Sequence, residues 1–378
     1  MRQIPDDFLD GPFARPAALE AGIAARVLEG TRFRRVHKSV YVHRDHPMSW
    51  ADHVKAARLA LPESARTTGV TRLQELGVDV GRRWPLHFVV EGDLHLVLDG
   101  VFLHRTAKLP PSDDDEEGVS IEAAFVAFCA EARVIDAIMV GCFLLHKELL
   151  DVALLDEILR EEKWRRGVAE AAFVVPFLNG RCRSMPEAAL LMFVLFSGLP
   201  EPEVNQELEL APGVVLTPDL WFAVYRQAVE YEGDQHQDDR GQYNSDIDRY
   251  ALYRRHDVPY EQVTKERMRS PKAAVRLVHR ALVEQGYDGP PPDFGSGGRP
   301  CSARSPTSYV SCAGPEERDR ERWWSDIPEA RNVAGSPLRR RVARDTRASG
   351  GGATFPRPGM WLDHRSRRAA QPSGAGGV

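Results

Sequence analysis

The run AVEYEGDQHQ, residues 228–237, sets Glu230, Glu232, Asp234 and His236 at every second position beyond an apolar stretch. Just upstream, LTPDL carries one more acid, Asp219, inside an otherwise apolar segment. If residues 214–224 and 227–232 pair as a hairpin joined near Tyr225 and Arg226, alternation puts Asp219, Trp221 and Ala223 on one face of the first strand. Ala228, Glu230 and Glu232 then share a face of the second, and in one register Asp219 neighbours Glu230 or Glu232. Two unit charges about 4 Å apart repel by about 4 kcal/mol at an effective dielectric of about 20. Such a pair persists if the acids protonate, splay into water or share a cation. Mg²⁺ (or Mn²⁺) suits the last case, because magnesium takes a couple of carboxylates plus waters. Held by Asp219 and Glu230, it could polarise a phosphodiester oxygen and turn a bound water into a hydroxide nucleophile. The alternative is an edge hairpin whose acids face solvent. The apolar neighbours Leu220, Phe222, Val224 and Val229 argue for a strand buried on at least one face.

The elements around these acids can be read in outline. SMPEAALLMFVLFSG predicts a very apolar helix ending at Gly198 and opening on Glu187. Ser184 with Glu187 three residues on is a capping box, and Pro186 is tolerated in a first turn. Glu187 therefore has a structural role, compatible with a second one as a further acid directed at Asp219. Beyond His236, the residues Tyr243, Asp246, Ile247 and Tyr250 fall near i, i+3, i+4 and i+7, the stripe of one packed helix face. Arg249 and Arg254 lie elsewhere on that helix, where they could meet phosphates. Residues 258–264 read as a strand, and PKAAVRLVHRALVEQG as a closing helix that stops at Gly286.

Near the N-terminus a short helix over residues 24–29 is expected to stop at Gly30 in the left-handed conformation. The next residues, TRFRRVHKSVYVH, alternate about Phe33, Val36, Val40 and Val42, which predicts a hairpin turning near His37 to Ser39. Its tip would carry Arg32, Arg34, Arg35, His37 and Lys38. A short helix followed by a basic hairpin is the layout of a winged helix-turn-helix, whose arginines neutralise DNA phosphates; a solvated hairpin is the alternative. Further on, residues 50–61 fit a helix. Residues 86–90 and 94–98 look like strands paired about an EGD turn, and residues 120–172 look helical. His87, His95, His104 and His146 have no i,i+4 partner and no acid at ligand spacing, so they are read as ordinary core or surface residues. His43, His46 and His53 form a looser cluster with a still weaker metal pattern.

A chain of 378 residues implies several domains. The net charge of −5 selects no class of partner. The apolar runs fall far short of the roughly 20 residues that span a bilayer, and no secretion signal is evident, so no membrane partner is expected. Five scattered cysteines without a CxxC pair argue for reduced thiols and a cytoplasmic protein. Residues 289–378, rich in Pro, Gly, Ser and Arg, are expected to be a disordered tail.

Taken together, SMPE opening a helix, GLPEPEVN, the PD of LTPDL, EYEGDQH, a helix with Asp246 and Arg249, and a strand ending in Val263 and Thr264 have a known likeness. Residues 181–287 resemble the uncharacterised actinobacterial relatives of the very-short-patch-repair (Vsr-like) endonucleases, in the PD-(D/E)XK nuclease superfamily. AARVLEGTRFRRVHKSVYV resembles the N-terminal winged helix of AbiEi-type antitoxins. The resemblance implies an α/β (α+β) fold in which a winged helix precedes a restriction-endonuclease-like mixed sheet flanked by helices. The domains would be 1–85 (winged helix), 86–180 (a mixed, mostly helical linker domain), 181–288 (nuclease domain) and 289–378 (tail). By position Asp219 would be the principal metal ligand, Glu230 the second acid, Glu187 the helix-borne acid and His236 the catalytic histidine. DNA would contact Arg32, Arg34, Arg35, Lys38 and Arg249. The lysine of the D/E-x-K element is absent and Glu232 stands there, leaving His236 or Glu232 to orient water. Three functions compete: a Mg²⁺- or Mn²⁺-dependent DNA endonuclease, a DNA-binding regulator or antitoxin with an inactive nuclease-like domain, and a module binding an unknown partner protein through its acidic hairpin.

Overall fold

The computed structural model describes residues 4–112, 117–233 and 249–294. Within them the chain is a mixed α/β protein, and it divides into two compact units, residues 1–189 and 190–378. The expected tail, 289–378, lies outside the described residues except for its first six.

In the first unit, β1 (Phe13–Ala14), β2 (Phe33–His37) and β3 (Val40–His43) form an antiparallel sheet in the order β1-β3-β2. The short helices α1 (Arg15–Glu20) and α2 (Ala25–Leu28) lie between β1 and β2 in sequence. Phe13, Leu28, Phe33 and Tyr41 are buried together in its core. The hairpin turns where expected, with Ser39 in the left-handed region at φ 62°. Gly30 does not terminate α2 in the left-handed conformation; α2 ends at Leu28, and Glu29 and Gly30 follow with ordinary backbone, the Gly30 N–H donating to the Val27 carbonyl. Next comes α3 (Trp50–Ala60), opened by a full capping box between Ser49 and Asp52.

A second sheet, β4-β5-β6, joins β4 (Arg66–Thr67), β5 (Leu86–Glu91) and β6 (Val101–Thr106), with α4 (Gly69–Glu75) between its first two strands. Two expectations change here. Residues 94–98 are not a strand, since Leu94 and Leu98 pack on the Leu86, Phe88 and Val90 core instead of alternating. The partner of β5 is β6, and it runs parallel. Because β4 pairs with β5, a boundary at 85/86 would also cut one sheet. Four helices follow: α5 (Ile121–Cys129), α6 (Val134–His146), α7 (Val152–Glu161) and α8 (Val168–Val174). Ser120 caps α5 and Asp151 caps α7 through their side-chain oxygens, which separates this apolar stretch into distinct helices.

The division between the units falls within α9 (Met185–Phe196). In the second unit, β8 (Leu208–Ala211) and β9 (Val214–Leu216) form a separate two-stranded ribbon. The expected strand over 214–224 is therefore two strands, interrupted at Thr217-Pro218-Asp219, where proline cannot donate to a ladder. The main sheet has the order β12-β11-β10-β7, from β7 (Glu203–Val204), β10 (Leu220–Phe222), β11 (Gln227–Glu232) and β12 (Tyr260–Thr264). β10 and β11 are antiparallel, whereas β11 and β12 are parallel. Residues 249–255 are helical (α10) and lie in the crossover between the parallel pair. The short α11 (Lys265–Met268) leads to α12 (Pro271–Glu284), which buries Val275, Leu277, Val278 and Leu282.

Candidate functional site

β10 and β11 are the two interior strands of their sheet, so the acids on them do not lie on an edge hairpin. The register pairs Leu220 with Val229 and Trp221 with Ala228. One step further along, Asp219 falls opposite Glu230. Trp221 and Ala228 pack with Tyr253 of α10 in one core cluster, so α10 covers the face toward which Asp219 and Glu230 alternate. Asp219 is buried and Glu230 is completely so. On the other side of β11, Glu230 pairs with Gln262 and Glu232 with Thr264 of β12.

Two buried carboxylates so placed need compensation, and three groups provide it. Asp219 Oδ2 accepts a hydrogen bond from the Tyr231 backbone N–H at 2.7 Å. The Tyr253 hydroxyl donates to Glu230 Oε1. The Arg249 guanidinium lies 3.4 Å from Glu230 Oε2, on a side chain one-third exposed. Burial opposes the charge on Arg249, but Glu230, Tyr250 and Asp219 outweigh it and hold its pKa above the usual arginine value. Burial and the facing Glu230 carboxylate push the Tyr253 phenol well up, so it stays a donor. The cation beside this acidic pair is thus carried by the chain itself.

The other expected site residues are placed as follows. Glu187 forms the anticipated cap: it accepts from the Arg183 N–H and the Ser184 hydroxyl, both at 2.9 Å, and its own N–H donates to Ser184 Oγ at 3.3 Å. Glu187 belongs to the first unit, and Asp219 and Glu230 to the second. Glu232 is partly exposed near the end of β11. Asp234, His236, Tyr243, Asp246 and Ile247 lie outside the described residues. Arg249, expected to meet phosphates, pairs with Glu230 instead of standing free. Arg32, Arg34, Arg35 and Lys38 are all exposed on or beside the β2–β3 hairpin, with Arg34 donating to the His46 carbonyl at 3.1 Å. Tyr253 was not singled out from the sequence, although it stands three residues beyond Tyr250 on the same helical stripe.

Two of the histidines read as ordinary core or surface residues, His87 and His104, meet across the first unit's sheet. The β5–β6 register brings His87 and His104 to one face, with Nδ1 of His87 3.0 Å from Nε2 of His104. Among the described residues, these two and Glu131 are the group of three potential ligand side chains whose donor atoms all approach within 4.8 Å. His46 instead pairs with Asp52 at 3.1 Å, as part of the α3 cap.

No family model matches the chain. It is 30% identical over 78 residues to an uncharacterized protein of Mycobacterium tuberculosis, designated MT2308 in strain CDC 1551 / Oshkosh and Rv2248 in strain H37Rv. The match covers 21% of this chain and 29% of the relative's length. Among the described residues, no helix is long and apolar enough to cross a membrane.

Proposed function

We propose that this chain is a metal-dependent DNA endonuclease of the Vsr-like, PD-(D/E)XK type, acting in the cytoplasm and gripping DNA with its N-terminal basic hairpin. One observation carries the reading: the β10–β11 register sets Asp219 opposite Glu230, with Glu232 two residues on along the same face. Like-charged side chains on adjoining interior strands make structural sense around a shared positive centre. Asp219, Glu230 and Glu232 offer the hard carboxylate oxygens that Mg²⁺ or Mn²⁺ takes together with waters, although the three do not bring their oxygens within 4.8 Å of one another, so an ion would engage two of them at most as they stand. When bound, such an ion polarises the scissile phosphate and acidifies water.

The residues around it have separate tasks. Tyr231 N–H fixes one oxygen of Asp219, and the Tyr253 hydroxyl fixes one of Glu230, so both carboxylates are held in place before any substrate arrives. Arg249 balances Glu230 and is itself one-third exposed, near enough to the surface to exchange that carboxylate for a phosphate. On the hairpin, Arg32, Arg34, Arg35 and Lys38 supply an exposed cationic strip for the DNA backbone.

The Arg249–Glu230 pair also favours a second reading, a DNA-binding regulator whose nuclease-like domain is silent because its acid already has a cation. One experiment separates the two. The full-length protein is incubated with supercoiled, linear and mismatched DNA in Mg²⁺, Mn²⁺ or EDTA, beside Asp219→Asn, which keeps an acceptor for the Tyr231 N–H. Nicking that requires the metal and vanishes in Asp219→Asn supports the nuclease. DNA retention without cleavage, unchanged in Asp219→Asn, supports the regulator. Absence of both binding and cleavage removes both.

A further inference from the structure

Away from the acidic face, in the first unit, two imidazoles and a carboxylate converge without any role in the reading above. We propose that His87, His104 and Glu131 bind one divalent transition-metal ion of the zinc class.

The sequence hides this site because its members come from three places. His87 is on β5 and His104 on β6; the parallel register pairs His87 with Phe102 and Val89 with His104, which puts both imidazoles on one face of the sheet. Glu131 stands just beyond the end of α5. The ring centroids lie 5.2 Å apart with their planes 28° from parallel, and Phe102 packs against both, at 5.7 Å from His87 and 4.7 Å from His104. The side chains are therefore held by packing, as ligands need to be.

The geometry suits a tetrahedral ion. Two nitrogens each about 2.0–2.1 Å from a tetrahedral zinc are about 3.4 Å apart. His87 Nδ1 and His104 Nε2 are 3.0 Å apart, slightly short of that span, so the rings would have to part a little to take the ion. A carboxylate oxygen of Glu131 is within the same 4.8 Å group, and its exposed position leaves the fourth vertex to solvent. Burial lowers the pKa of both histidines: His104, also next to His87 and Arg166, comes down to about 3, while Glu131 partly offsets the shift at His87. Because the two facing nitrogens share a hydrogen bond, one imidazole must shift its proton to its other ring nitrogen before both can ligate. Two nitrogens and one oxygen select Zn²⁺, Co²⁺ or Fe²⁺ over Mg²⁺ and Ca²⁺. Arg166 is the competitor, at 3.3 Å from Glu131, on a side chain exposed enough to swing into water. Without an ion the same atoms form a plain histidine–histidine hydrogen bond, the alternative to be excluded.

The test is a Co²⁺ titration of the chelator-stripped full-length chain, read by visible ligand-field absorption and repeated with Zn²⁺ as a displacing ion. The expected result is one saturable set of intense, tetrahedral-type Co²⁺ bands that Zn²⁺ removes, lost in His104→Gln, present unchanged in Asp219→Asn, and with affinity weakened about tenfold or more in Glu131→Gln. Zn²⁺ should also raise the unfolding temperature of the native chain and not of His104→Gln. The same absorption and affinity in native protein and His104→Gln, or no absorption in either, overturns the proposal. If His104→Gln fails to fold, Glu131→Gln decides alone, because Glu131 is exposed: unchanged Co²⁺ affinity overturns it. Asp219→Asn should leave this titration unaltered, so failure here and failure of the nuclease reading are told apart.

Discussion

Replacing Arg249 by Met tests whether the chain's own cation is what allows Glu230 to be ionised inside the sheet. The guanidinium is 3.4 Å from Glu230 Oε2. At an effective dielectric of about 20 that separation corresponds to about 5 kcal/mol of attraction. Arg249 is one-third exposed and partly screened, so the expected loss in Arg249→Met is nearer the low end of the range for broken buried pairs, about 3 kcal/mol. Glu230→Gln should cost less, about 1–2 kcal/mol, because the amide still accepts from Tyr253 while Arg249 can turn to water. In the double variant the stranded charge is gone, and the cost should be smaller than the sum by about 2 kcal/mol. The measurement is amide hydrogen exchange of β11 and β12 with the metal chelated, so that opening of this unit is followed without assuming two-state unfolding of the whole chain. Additive costs, or a loss in Arg249→Met under about 0.5 kcal/mol, would refute the argument that Arg249 compensates the buried acid.

Tyr253→Phe removes the other support of Glu230 and should reduce protection of the same strands by about 1.5–3 kcal/mol, in the same exchange experiment. In Gly167→Ala, the new Cβ would sit 2.0 Å from the Val126 carbonyl oxygen at a φ of +96°; it should cost about 2–4 kcal/mol and lower the unfolding temperature of the first unit. For DNA binding, Arg34→Ala with Arg35→Ala should make the slope of log affinity against log salt shallower by about 1.8, measured by fluorescence anisotropy; an unchanged slope would take the hairpin out of the contact.

Local patterns in the sequence carried the strands and caps whose geometry is decided by near neighbours. The β2–β3 hairpin follows from alternation about Phe33, Val40 and Val42, and the buried Phe33 and Val42 hold it. The cap at Ser184 and Glu187 needed only a spacing of three. Register between distant strands was not legible. The alternation at residues 94–98 resembles a second hairpin strand, yet those leucines pack on the core from a loop while β6 takes the pairing. The meeting of His87 with His104 depends on that parallel register and has no signature in spacing. Nor does the inward turn of Arg249, because which face of a helix is buried is decided by what it covers and not by its spacing alone.

The acids at positions 219 and 230 pose the same problem in sequence and in structure, with a different first solution. Repulsion between them calls for a positive centre, and the fold provides one in Arg249 before any ion is considered. An ion at Glu230 would have to displace one of the partners it already has. Only one oxygen of Glu230 faces the guanidinium, the other takes the Tyr253 hydroxyl, and Glu232 lies further along the strand toward solvent. A buried carboxylate that waits for an ion must stay ionised in its absence, or the first step of binding would be the loss of a proton in a low-dielectric site. In the proposed nuclease, the Arg249 guanidinium and the Tyr253 hydroxyl would favour the charged form of Glu230. Under this argument Arg249 is a positioning residue for the acid, so Arg249→Met should weaken metal-dependent cleavage more than it weakens DNA retention.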